Sequence, residues 1–293
     1  MRHLPGDFDV VQVPFWQLYR PGELSDWRSE YPSFPISMTL HPSSYESVLH
    51  EAASRLRGDS CCPLVLRPIC RQLGVQGIRR SRLQDARSVL INASTSPVII
   101  LSSREGRPGD PFTNWERFLI AHEIGHLVLH QLGAKPPSGS SEYWKLETLC
   151  NAFARQLLIP DSVVAETANN SRGEAIDQLR ATLFIVGRCY VPWSAAALRM
   201  SDTYGDAAFF RLTEVVNDGF KVVVSTCPNH QGIGQLIRAG SRLCQTLDGS
   251  IKTSGTSQEI EAEKLSGIGG IKNIRSGAAC RVRREFRLAV IRA

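Results

Sequence analysis

Residues 122–126 read His-Glu-Ile-Gly-His, and side chains of these types at this spacing can hold a divalent cation and activate water beside it. Helical residues four apart share a face, so His122 and His126 can present two neutral imidazole nitrogens to one ion. Glu123 stands about 100° further round such a helix, where its carboxylate reaches a metal-polarised water more readily than the metal. Zn²⁺ suits a hydrolytic site built on two imidazoles, and the free carboxylate is then the base that takes the water's proton.

The elements that must position these groups are legible on either side. Thr113 followed by Glu116 has the form of a capping box, which starts a helix. Trp115, Phe118, Leu119, His122, His126 and Leu129 recur at helical spacing as one stripe, and Gly133 before Lys135-Pro136-Pro137 supplies the stop. A plain core helix is the blander explanation. It is disfavoured because two imidazoles and a glutamate buried without a cation leave polar groups to satisfy.

A third protein ligand has to come from elsewhere, leaving a fourth position for water. Glu147 is the best candidate. Around it, Leu146, Leu149, Cys150, Phe153, Leu157 and Leu158 form an apolar face of helical period that Pro160 ends. Glu147 borders that face, and its position alone fits an inward ligand and a solvated surface glutamate equally well. Tyr143 and His130 are the side chains at hand to help stabilise an oxyanion. Three histidines in one helical row cannot all reach one tetrahedral ion, so His130 is expected to support or pack rather than ligate.

Arg117-Phe118-Leu119-Ile120-Ala121-His122-Glu123-Ile124-Gly125-His126-Leu127-Val128-Leu129-His130, followed by Glu147-x-x-Cys150-Asn151-x-Phe153-Ala154-x-x-Leu157-Leu158-Ile159-Pro160, resembles the ImmA/IrrE family of metallopeptidases. That family carries an R-F-T-x-A-H-E-x-G-H-x-x-x-H helix and then an E-x-x-A-N-x-F-A-x-x-L-L-x-P helix. The resemblance implies His122 and His126 as histidine ligands, Glu147 as the third ligand and Glu123 as the catalytic base. Zn²⁺ is the implied cofactor, with Mn²⁺ as the alternative. Leu119 stands where the family usually has threonine and Cys150 where it usually has alanine; neither aligns with a ligand. A weaker similarity covers residues 45–205: a helix over Tyr45–Arg57, a short helix within Pro63–Gly74, a strand over Pro97–Leu101, and trailing helices within Leu179–Phe184 and Val191–Met200. The resemblance also implies a substrate class, helix-turn-helix repressors of the XRE type, often encoded nearby, cut to relieve repression after stress or during mobile-element induction.

At 293 residues the chain has room for two modest domains. A net charge of +6 and a pI near 9.0 permit contact with nucleic acid or an acidic protein without requiring it, so nucleic acid is the weaker expectation and a protein substrate the stronger. No stretch approaches the length of a membrane span and the first residues lack an apolar signal core, which points to a cytoplasmic protein. Eight cysteines without a C-x-x-C agree with a reducing compartment. Among them, the adjacent pair Cys61-Cys62 leaves a redox or second-metal role as a minor reading.

The expected fold class is α+β: a mainly helical, zincin-like metallopeptidase domain with a short sheet, followed by a smaller β-rich or α+β domain. The expected division is a proline- and aromatic-rich arm over 1–44, the metallopeptidase domain over 45–205, and a C-terminal domain over 206–293. In the last, Phe209–Val216 and Phe220–Ser225 read as a hairpin around Asn217-Asp218-Gly219, Ser266–Gly270 as a connector, and Arg281–Ile291 as one final strand with a basic face. Two other functions compete with the peptidase. Leu179–Met200 reads as two short helices with a turn at Gly187–Pro192, which fits a DNA-binding regulator with a structural metal, Arg188 and Arg199 being its main base-reading side chains. A protein-interaction module with an idle site is the other. The sequence sets no oligomeric state.

Overall fold

The computed structural model describes residues 45–292 apart from 82, 84–86, 94–95, 103–110, 135–136, 138, 170–173, 217, 227–232, 240, 251–256, 266–267, 269–273 and 283–284. The expected N-terminal arm over 1–44 and nearly all of the 266–270 connector lie outside the described residues. The chain forms two compact units, one ending at Leu158 and the other running over Ile159–Ala293. This division falls well before residue 206, where the sequence pattern changes.

The first unit opens with helix α1 (Tyr45–Arg57) and the short α2 (Leu66–Gln72), followed by strands β1 (Gly77–Ser81), β2 (Ser88–Ala93) and β3 (Ser96–Ser102). These strands make a sheet of order β1-β3-β2, with β1 parallel and β2 antiparallel to β3. The middle strand is the apolar one: Ile99, Ile100 and Leu101 are all buried, as befits a strand covered on both faces. Helices α3 (Asn114–Gln131) and α4 (Ser140–Leu158) then pack against each other, and α3 also meets β2 and β3.

Helix α3 starts where its sequence says it should. The Glu116 amide donates to Thr113 Oγ1 at 3.1 Å, and the Thr113 amide donates to Glu116 Oε2 at 2.8 Å, a complete capping box. From Phe118 to Leu129 every residue is buried. The helix is therefore enclosed on all sides rather than along one stripe, and Trp115 stays partly exposed. It stops at Gln131, with Gly133 adopting the left-handed conformation (φ 77°) and its amide bonding the His130 carbonyl. Helix α4 is tied at its C-terminal end by the buried Arg57 of α1, whose Nη1 donates to the Leu157 carbonyl at 2.8 Å. The other guanidinium nitrogen, Nη2, donates to Ser60 O and to Cys62 Sγ, at 3.2 and 2.9 Å.

The second unit holds α5 (Asp161–Asn169), α6 (Ala175–Cys189), α7 (Trp193–Thr203) and α8 (Arg242–Ser250), with a one-turn 3-10 helix at Ala262–Leu265. Its six strands are β4 (Ala207–Val215), β5 (Gly219–Ser225), β6 (Leu236–Arg238), β7 (Ser257–Ile260), β8 (Ile274–Val282) and β9 (Glu285–Arg292), in the order β6-β5-β4-β9-β8-β7, every pair antiparallel. Alternation along β4 explains how both faces are covered. Phe209 turns toward Trp193 of α7, with ring centroids 6.4 Å apart, while Phe210 and Leu212 join Leu243 and Leu247 of α8 in one apolar cluster.

The hairpin expected at 209–225 is present as β4 and β5. The expected single strand over Arg281–Ile291 is a correction. The segment holds the end of β8 and most of β9, paired from Val282↔Glu285 back to Ile274↔Arg292. The fold is thus mixed α+β, helical first and built on the large sheet later. Helices α6 and α7 pack on that sheet, with Ala195, Ala196, Ala197 and Met200 buried, and Arg199 is ion-paired to Asp161. Among the described residues, no helix is long and apolar enough to cross a membrane. Among the described residues no cysteine forms a disulfide, and five of the seven cysteines are buried.

Candidate metal site

All parts of the site lie in the first unit. His122 and His126 share a face of α3, and their Nε2 atoms are 3.1 Å apart. Glu147 of α4 closes the group: its Oε2 is 3.2 Å from His122 Nε2 and its Oε1 is 3.3 Å from His126 Nε2. Ligand atoms of the three residues all lie within 4.8 Å of one another. A tetrahedral ion with bonds of about 2.0–2.1 Å holds neighbouring ligand atoms about 3.3–3.4 Å apart. The 3.1 Å between the imidazole nitrogens, and the 3.2 and 3.3 Å from each of them to a different oxygen of Glu147, are each close to such a separation, so these side chains fit a small divalent cation. The Glu147 carboxylate turns inward toward the imidazoles.

Close approach of the two helices makes this reach possible. A methyl group added at Gly125 would stand 3.1 Å from Phe153 Cδ1 and 3.2 Å from the Cys150 Cα, so α4 lies directly against the α3 backbone. Gly125 sits between the two histidines, and Cys150 lies three residues past Glu147. The contact that needs glycine is therefore level with the ligands.

Around the trio, α4 supplies two further polar groups at helical spacing from Glu147. Asn151, four residues on, places Oδ1 3.0 Å from His122 Nδ1. With Nδ1–H donating to that oxygen, the imidazole is held in the tautomer that leaves Nε2 free to ligate. Tyr143, four residues back, donates its hydroxyl to Glu147; burial and the carboxylates of Glu147 and Glu123 push its phenol up to about 12. Tyr143 therefore keeps its proton near neutrality.

The electrostatics of the trio follow the same contacts. Burial alone would push the His122 imidazole down, but the Glu147 hydrogen bond, the charges of Glu123 and Glu147 and the Asn151 bond raise it above its ordinary value. Burial would raise Glu147, yet hydrogen bonds and charge from His122 and His126 hold its carboxyl well below the usual carboxylate range. The carboxylate is anionic, as a ligand must be. His130 is not part of the group, and burial lowers its imidazole so that it stays neutral.

Glu123 is only 4% exposed and accepts a hydrogen bond from Ser88 Oγ of β2 at 2.6 Å. Sequence alone gives no sign of Ser88. It lies 35 residues before Glu123 in a segment without a motif. Asn151 could have been found, since it stands one helical step from Glu147 on the same face.

Residues 70–201 match the family model described as the IrrE N-terminal-like domain, Peptidase_M78. No curated protein matches the sequence. Among solved structures, a Mycobacterium tuberculosis transcriptional regulator is similar over 84% of this chain and 86% of its own, at 12% identity and a TM-score of 0.46. The paired motifs fall inside the matched residues, so the segment 70–201 of this chain is similar to the IrrE N-terminal-like, or Peptidase_M78, family.

Proposed function

We propose that this protein is a metal-dependent endopeptidase of the cytoplasm whose substrate is a helix-turn-helix repressor encoded nearby. His122, His126 and Glu147 are the proposed ligands, Zn²⁺ the proposed ion with Mn²⁺ as the alternative, and Glu123 the proposed general base. The observation that carries the reading is the convergence of two imidazole nitrogens and the Glu147 carboxylate within 4.8 Å of one another, with a buried carboxylate one residue along the same helix.

When bound, a divalent cation supplies Lewis acidity at a water and at the scissile carbonyl. The chain's own residues do the rest. Glu123 takes a proton from the attacking water as the C–O bond forms, then delivers it to the amide nitrogen as the C–N bond breaks. Asn151 holds the His122 ring in register. Tyr143, which remains protonated, offers a hydroxyl donor beside the developing negative charge.

The test is co-expression of the chain with the neighbouring repressor, comparing wild type, Glu123→Gln and Glu147→Gln, followed by cleavage with purified proteins and added Zn²⁺ or Mn²⁺. Wild type should cut, and Glu123→Gln should be slowed at least a hundredfold while still binding metal, the scale of general-base catalysis being about 10²–10⁴. Equal cleavage by wild type and Glu123→Gln would remove the base from the mechanism. An intact repressor in every arm would remove the substrate assignment.

A further inference from the structure

We infer that Ser88 is a positioning residue for Glu123, an edge-strand hydroxyl that fixes the general base; this rests on the function proposed above. The bond between Ser88 Oγ and Glu123 Oε1 is 2.6 Å long, within the range of a hydroxyl donating to an ionised carboxylate. Glu123 is almost fully enclosed, so a bond to one of its oxygens matters more than it would at a solvated surface.

The sheet determines which side chain arrives at that spot. Strand β2 lies at the edge of the three-stranded sheet, its register on β3 running from Ser88↔Leu101 to Ala93↔Ser96. Residues two apart on a strand share a face. Ser88 therefore lies on the same face as Leu90, which is 1% exposed, and β2 meets α3. A slip of one residue would turn the hydroxyl away and put Val89 in its place. The hydrophobic pattern of β2 thereby aims one polar atom at the carboxylate. The Ser88 hydroxyl bonds Glu123 rather than the imidazoles or Glu147, so its influence on the site runs through the base.

The experiment uses the full-length protein, Zn²⁺ and acetohydroxamate as probe. A hydroxamate gives up its N–OH proton when it binds a metal held beside a carboxylate base, so its affinity reports whether that base is in place without any peptide substrate. Zn²⁺ affinity is measured first, by competition with a chromophoric chelator starting from metal-free protein. Wild type, Ser88→Ala, Ser88→Thr, Glu123→Gln and the double variant Ser88→Ala/Glu123→Gln are compared.

Ser88→Ala should bind Zn²⁺ within about twofold of wild type and acetohydroxamate about tenfold more weakly, the scale of one hydrogen bond to a charged group. Ser88→Thr, which keeps the hydroxyl, should restore affinity, and in the Glu123→Gln background removal of Ser88 should have no further effect. Normal hydroxamate binding by Ser88→Ala would overturn the inference. So would a parallel loss of Zn²⁺ affinity, because Ser88 would then be supporting the metal site as a whole. If Glu123→Gln alone leaves hydroxamate affinity unchanged, the base assignment itself fails and the inference falls with it.

Discussion

Gly125→Ala tests the helix contact on which the site depends. The substitution adds one methyl group, and two opposing terms decide its sign. Alanine in a helix interior is favoured over glycine by about 1 kcal/mol. Against that, the new Cβ would meet Phe153 Cδ1 at 3.1 Å and the Cys150 Cα and Cβ at 3.2 and 3.4 Å. Phe153 is 1% exposed and Cys150 completely buried, and one contact is with the backbone, so no flexible side chain can swing aside. Overpacking of this kind costs about 1–3 kcal/mol. The net expectation is a loss of roughly 1 kcal/mol, with α3 and α4 moved apart by a few tenths of an ångström. Metal–ligand distances tolerate only about ±0.2 Å. The same shift should therefore draw Glu147 back from the imidazoles and weaken Zn²⁺ binding by about tenfold, comparable with loss of a supporting group.

Gly187→Ala is the matched control. Gly187 lies in exposed α6 backbone, and a methyl group added there would meet nothing within 4 Å. Only the propensity term remains, so the variant should gain about 0.5–1 kcal/mol. Hydrogen exchange followed by mass spectrometry reads the two helices separately, through the α3 peptides for one variant and the α6 peptides for the other. Competition with a chromophoric chelator gives the Zn²⁺ affinity. Opposite signs in the two helices, with metal binding weakened only in Gly125→Ala, is the expected result. Equal stabilisation of both helices with Zn²⁺ affinity intact would show that α3 and α4 are not in tight contact, and the explanation of how Glu147 reaches the histidines would fail.

Two further outcomes concern the scaffold. Glu116 joins the cap of α3 to Arg80 of β1 through bonds of 2.7 and 3.1 Å. Burial would raise its carboxyl, but the hydrogen bonds from Arg80 and Thr113 and the charge of Arg80 lower it. A carboxylate lowered in the folded state stabilises the protein above its unfolded value, about 4.3, and that contribution disappears as pH falls through the depressed folded value. Acid titration of thermal stability should therefore show a drop below about pH 4 that is smaller in Glu116→Gln, and identical acid profiles would remove the pair from the account. Arg57→Met should cost about 3 kcal/mol in urea unfolding, since the α4 carbonyl of Leu157 loses its buried donor. Arg57→Lys should recover only part of this, having no fork to span Leu157, Ser60 and Cys62; full stability of Arg57→Met would show that the carbonyls are satisfied without it.

Sequence revealed those parts of the fold and of the site whose determinants are local. The capping box of α3 is two side chains three residues apart, its histidines are one helical step apart, and the β4–β5 hairpin follows a short turn signal between apolar strands. Each is a relation that can be measured along the chain. The orientation of Glu147 was different, because a residue at the border of an apolar face can turn either way until its neighbour is known. The paired motifs resolved it by resemblance, and the Gly125 contact supplies the physical reason. Where the determinants are distant, the sequence was silent or misleading. Residues 281–291 alternate in a way that reads as one strand, because nothing at 283–284 carries a glycine, proline or asparagine to mark a turn; only the pairing of Val282 with Glu285 shows two. Strand β1, Gly-Ile-Arg-Arg-Ser, has a single apolar side chain and draws its place from β3. Ser88 is the sharpest case: one hydroxyl gains a chemical environment from the register of an edge strand and the packing of a helix 35 residues away. Motifs of this kind name the candidate ligands and the candidate base, whereas the groups that hold them still are specified by tertiary contact. Variants at those supporting positions should therefore separate metal binding from the placement of the base, which motif substitutions cannot do.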